Sequence, residues 1–148
     1  MEAKTLFEIK NNIRSLASVY NSLGTIGLDQ KQYGVALHYF KKAEALLAPR
    51  DDKHLYVPIL VNLGQAQFQL SQLIAAEKTL SHWKAEAEAL HDYRNLAYAF
   101  DWLSQLNEKK GNYRLALDFE RKRLAAIDRI NRRRKKQTAS PQKLRWMA

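Results

Sequence analysis

The sequence predicts an all-α fold, a solenoid of three helix-turn-helix repeats with about six or seven helices. Two observations carry this. The chain repeats itself at an offset of 40 residues, and within each repeat apolar residues recur at spacings of three and four rather than two. Leu23-Gly24 returns as Leu63-Gly64 and as Leu103-Ser104, and twelve residues after each small residue stands Ala36, Ala76 or Ala116. Gln32-Tyr33, Gln72-Leu73 and Asn112-Tyr113 precede those alanines. Further matched triplets are Tyr20/Leu60/Phe100, Val19/Ile59/Ala99, Ile26/Ala66/Leu106 and Leu16/Tyr56/Leu96.

The first helix of the first unit is expected to bury Leu16, Val19, Tyr20, Leu23 and Ile26, followed by a break over Gly27–Gln32. Its second helix runs from about Tyr33, with Ala36, Leu37, Phe40, Ala43 and Leu47 on one stripe, until Pro49 and Asp51-Asp52 end it. Gly24 and Gly64 facing Ala36 and Ala76 allow close backbone approach, with Tyr33 or Phe40 filling the space beside them. In the second unit Pro58 falls inside the expected first helix, where it removes a hydrogen bond. That helix either starts near Val57 or starts earlier and kinks. Gly111-Asn112 supplies the turn of the third unit. The units span about 13–52, 53–92 and 93–136 of a repeat domain over 1–136, with a basic tail over 137–148. Residues 1–12 read either as the last turns of a preceding helix or as a cap, because Leu6–Asn12 aligns with Leu46–Asp52.

These residues resemble the tetratricopeptide repeat family, whose pattern is matched by Tyr20, Leu23-Gly24, Tyr33, Ala36, Phe40, Ala43 and Pro49. The second unit keeps Leu60, Leu63-Gly64, Leu73, Ala76 and Leu80 but has Trp83 where a small residue is usual. The third keeps Phe100, Leu103, Tyr113 and Ala116 but sets Glu120 and Arg123 at two later core positions. The likeness covers about residues 3–130 and implies a right-handed solenoid. A 40-residue period exceeds the usual ~34, and is similar to the lengthened variant in bacterial signalling regions, such as those preceding GGDEF or histidine-kinase domains.

Charge divides the chain sharply. Of its 25 Lys+Arg and 15 Asp+Glu, residues 121–148 hold eleven cations and the single acid Asp128. The whole net charge of +10 therefore lies there, and residues 1–120 are balanced. There is no Cys, which excludes disulfides and thiolate chemistry. His38, His54, His82 and His91 show no metal-ligand spacing, and no Gly-rich phosphate loop or catalytic triad is apparent, so neither enzyme activity, metal nor cofactor is expected. No apolar run approaches a membrane span and no signal peptide is visible, which points to the cytoplasm, with the periplasm left open.

The resemblance implies a concave groove lined by first helices. Carried over by register, its candidates are Asn21, Thr25 and Leu28, then Val61, Gln65, Phe68 and Gln69, then Tyr98, Asp101, Gln105 and Glu108. Amides interleaved with apolar anchors suit a peptide or partner segment, and the acids in the stripe favour a neutral or mildly basic one. The carboxylate-clamp positions of chaperone adaptors fall here at Asn21, Thr25, Asn62, Tyr98 and Trp102, which lack the required Lys/Arg. The expected function is a non-catalytic protein-interaction or sensor module of a larger signalling protein, binding in this groove or associating with itself. Two alternatives stand beside it. One is binding of nucleic acid or another anionic partner through Arg132, Arg133, Arg134, Lys135 and Lys136. The other is a free-standing adaptor or assembly factor.

Overall fold

The computed structural model describes residues 3–47 and 52–139, and is all-α. Six helices lie in these residues: α1 (Ala3–Asp29), α2 (Tyr33–Leu47), α3 (Lys53–Gln69), α4 (Leu73–Ala89), α5 (Tyr93–Lys109) and α6 (Tyr113–Thr138). Pro49, Thr138's successors from Ser140 and the apolar patch at Leu144–Met147 fall partly or wholly outside the described residues.

The connections follow from one hydrogen-bonding motif used four times. Gln32, Gln72, Asp92 and Asn112 each donate the backbone N–H to the carbonyl five residues back, at 2.8, 2.9, 3.0 and 2.8 Å. This satisfies an orphan carbonyl of the finished helix and requires a left-handed residue just before the donor. Those residues are Lys31, Ser71 and His91, with φ of 58°, 59° and 50°, and Gly111 at 82°. Only the last has the residue type that occupies this region without a Cβ penalty. The next helix starts at once, and at α3 and α5 the caps Asp52 and Asp92 accept from the backbone N–H of Leu55 and Asn95.

The chain divides into two compact units, Met1–Glu86 and Ala87–Ala148. In the first, α1 packs on α2 and α2 on α3. The core there joins Ala36 and Phe40 of α2 to Leu63 and Ala66 of α3, flanked by Leu28 and Leu37. Small residues set the spacing: a Cβ on Gly24 would lie 2.4 Å from the Phe40 ring, and one on Gly27 3.1 Å from the Ala36 backbone. A Cβ on Gly64 would lie 2.8 Å from Leu80 Cδ2. Gly24 and Gly64 thus face Phe40 and Leu80 rather than the expected Ala36 and Ala76, whose methyl side chains leave no bulk to hold the helices at this spacing. In the second unit Ala87, Leu96, Ala97, Phe100 and Ala126 form the core, with Tyr93, Phe119 and Ile127 packed against it.

One further sequence expectation needs correction, and the structure decides between the alternatives left open at two other places. The break assigned to Gly27–Gln32 is confined to residues 30–32, because Gly27 is a buried contact within α1 rather than its terminator. Residues 3–12 belong to one continuous α1, so no separate preceding helix ends there. α3 starts at Lys53, before Pro58, so the proline sits in its second turn, where the carbonyl of His54 loses its intrahelical donor.

The largest difference lies on α1. Leu16, Val19, Leu23 and Ile26, expected in the core, are 38–53% exposed. Their equivalents on α3, Tyr56, Ile59, Leu63 and Ala66, are at most 7% exposed. The side of α1 that is buried instead carries Ala17, Gly24 and Gly27.

Trp83, at a position where the resemblance leads one to expect a small residue, is fully buried. Glu120 and Arg123 solve the problem of charge at core register by pairing with each other, Arg123 Nε donating to both carboxylate oxygens at 2.9 and 3.1 Å. That hydrogen bond lowers the Glu120 carboxyl below its ordinary value and raises Arg123.

Candidate interaction surfaces

In the first unit, the candidates carried over by register lie on α1 and α3, which pack against each other. Asn62 Nδ2 donates to Asn21 Oδ1 at 3.0 Å, linking the two helices at positions one residue out of the 40-residue register. Thr25 is turned back on its own helix, its hydroxyl donating to the Asn21 carbonyl at 2.9 Å. Val61, Gln65 and Phe68 are half-buried and Gln69 is exposed. Leu28 is half-buried, as Phe68 is, with part of its side chain packed against the Ala36–Phe40–Leu63–Ala66 core. A stripe of amide and apolar groups thus remains at Asn21, Asn62, Gln65 and Phe68.

In the second unit, Tyr98 is exposed and Asp101 half-buried, with Gln105 Nε2 donating to Asp101 Oδ2 at 3.2 Å. Glu108 is exposed one turn further along. Tyr98 and Asp101 line a cavity of about 200 Å³ between α5 and α6, floored by Ala97, Ile127 and Ile130 and edged by Arg94 and Arg123. The surroundings of the two predicted residues are therefore more cationic than the first-helix stripe alone suggested.

Arg132, Arg133, Arg134, Lys135 and Lys136 all lie in α6 and are exposed. They are not a uniform patch. Arg132 pairs with Asp128 at 2.9 Å. Arg133 lies over the Tyr93 ring at 4.8 Å, and Arg129 over the same ring at 5.6 Å. Arg133 and Arg134 line a second cavity of about 250 Å³, with His91, Asp92, Arg94 and Gln137. Lys135 and Lys136 lie in the last turn of α6, where cations complement the helix dipole. The Tyr93 stack escaped sequence reasoning because it joins residues 36 to 40 positions apart. Its one signal is the four-residue spacing of Arg129 and Arg133, which puts both on one helix face.

The four histidines are all exposed. His82 lies edge-on to Tyr56 at 5.6 Å and 3.5 Å from Glu86. Among the described residues no group of three or more His, Asp or Glu side chains is placed to hold a metal ion. Nor is any helix among them long and apolar enough to cross a membrane.

In comparison with known proteins, the chain matches no family model and no curated protein. Class is therefore given by architecture alone: an all-α chain of six described helices in a 40-residue register.

Proposed function

We propose that the chain is a non-catalytic protein-interaction module, a solenoid of tetratricopeptide-like repeats that binds a peptide or partner segment along its first helices. The observation that carries this reading is the linked Asn21–Asn62 pair beside half-buried Gln65 and Phe68. Amides at fixed height satisfy the backbone of an extended or helical segment, and Phe68 offers an apolar anchor next to them. A solenoid of this kind presents side chains on rigid helices, so little ordering cost falls on the protein when a partner binds. A sensor or regulatory role within a larger signalling protein is the setting that fits such a module.

The test is selection from a displayed peptide library on the immobilised chain, followed by titration of the recovered peptides. Phe68→Ala and Gln65→Ala weaken binding at least about tenfold, a loss of ~1.4 kcal/mol. Binding unaffected by both substitutions contradicts the reading.

Anionic-partner binding through α6 is the second reading, favoured by the cavity that Arg133 and Arg134 line beside Arg94. A duplex oligonucleotide titrated across salt concentrations separates the two. A steep salt dependence that vanishes when residues 131–148 are removed supports it, and a flat one contradicts it.

A further inference from the structure

The open face of α1 is one continuous apolar stripe, and its spacing has a symmetry that bears on what covers it. Leu6, Ile9, Leu16, Val19, Leu23 and Ile26 are exposed, and half-buried Ile13 lies on the same stripe. Along the helix the intervals run three, four, three, three, four, three, so the pattern reads the same in both directions about Leu16.

A helix with such a palindrome matches an antiparallel copy of itself. With Leu16 opposite Leu16, Leu6 comes level with Ile26 of the other copy, Ile9 with Leu23 and Ile13 with Val19. The whole stripe is then covered by the whole stripe, as a closed two-fold interface requires.

Charge does not oppose this pairing. Lys4, Lys10, Arg14 and Asp29 lie about 120–160° from Leu16 at 100° per residue, outside the contact, and Glu8 on its flank comes level with Gly24 of the other copy. No like charges are brought together, and Arg14 is already neutralised by Asp52 at 2.7 Å.

Area agrees. Six residues each about half open amount to about 500 Å² per copy and about 1,000 Å² for the pair, where specific interfaces begin. Leu6 and Ile9 lie on the N-terminal turns of α1, where residues 3–6 and 8–12 are all exposed, and an isolated helical stretch of this length is marginal in water.

We propose that α1 is a homodimerisation helix, pairing antiparallel with α1 of a second copy about a two-fold axis at Leu16. The dimer does not rest on peptide binding. Thr25 and Asn21 point to a different side of α1 from the stripe, since residues 21 and 25 lie about 140° and 180° from Leu16 at 100° per residue.

The test uses the full 148-residue chain in sedimentation equilibrium, with cysteine cross-linking as the geometric arm. The expected particle is twice the 17.2 kDa chain mass. Leu16→Glu weakens association at least about tenfold with helicity retained, and Val19→Lys does the same should Leu16→Glu fail to fold. Because the chain has no native Cys, Leu16→Cys alone oxidises to a covalent dimer and Leu6→Cys alone does not. Three results overturn the proposal: a monomer at every concentration, as when some other helix is the natural cover; a dimer indifferent to both charge substitutions; or efficient cross-linking through Leu6→Cys, which indicates parallel chains.

Discussion

α1 and α3 are register equivalents that end up in opposite circumstances. Both carry a Leu-Gly pair, Leu23-Gly24 and Leu63-Gly64, and both end through a left-handed residue, Lys31 or Ser71. Both join the Asn21–Asn62 hydrogen bond. Yet the stripe of α3 lies buried against Ala36 and Phe40 of α2, whereas the equivalent stripe of α1 faces solvent. The difference teaches that a repeated sequence specifies what a face wants, while the elements packed across from it decide whether it is met. A repeat unit cannot bury its apolar face alone, and among the described residues no helix lies across the stripe of α1 as α2 lies across that of α3.

The comparison is broken most forcefully by removing the same side chain from each helix. Leu63→Ala leaves a cavity in the core and costs about 2–5 kcal/mol, whereas Leu23→Ala at the equivalent exposed site costs under about 0.5 kcal/mol in dilute monomer. Urea unfolding of the two variants measures both, and equal losses refute the assigned burial.

Adding a methyl group comes next in size. Gly24→Ala drives Cβ against the edge of the buried Phe40 ring and costs about 1–3 kcal/mol. Gly64→Ala meets the tip of Leu80, which yields more readily, and costs less. Thermal melts of the pair give the order, and a reversed order contradicts the geometry. Here the two helices behave alike in kind, because both glycines face inward.

At their C-terminal ends the two helices should respond identically. Lys31→Gly and Ser71→Gly each relieve a left-handed non-glycine residue and stabilise by about 0.5–1 kcal/mol. Differential scanning calorimetry reads the gain, and a loss at either site shows that the side chain contributes something the turn geometry does not contain.

The smallest effect is a pH dependence confined to α3. Burial, reinforced by Glu44 and Glu86, pushes the Tyr56 hydroxyl above its ordinary value near 10. The folded chain then holds this proton longer than the unfolded chain does. The associated stability is present below about pH 10 and is lost as pH rises through the folded value. Comparing Tyr56→Phe with the parent chain across that range isolates the loss, which the phenylalanine variant lacks. On α1 the same register position is Leu16, which carries no proton to lose.

Much of this was legible in the sequence, for physical reasons that differ by feature. Helix class and turn placement follow from local chemistry: Gln32-Tyr33, Gln72-Leu73 and Asn112-Tyr113 mark three identical hydrogen-bonded turns. That Gly24 makes a close approach was readable, but its partner was not: the Phe40 ring lies across from it, and Ala36 meets Gly27 instead. Coverage was not readable, since Leu23 and Leu63 look alike and differ only in what lies across from them. Gly27 misled because a buried small residue and a helix terminator share a residue type. Among the interaction candidates, Asn21, Leu28, Gln65 and Phe68 are all half-buried, and register could not tell that Leu28 shares its contact with the core. The Tyr93 stack with Arg129 and Arg133 depends on tertiary pairing that no local pattern encodes.

The central claim is that α1 carries an uncovered face that a second copy completes. Amide hydrogen exchange at low and high protein concentration tests it most directly. The account predicts slow exchange along α3 at both concentrations, with residues 3–14 of α1 exchanging quickly when dilute and becoming protected when concentrated. Exchange in α1 that is equally slow at both concentrations, or equally fast at both, contradicts it.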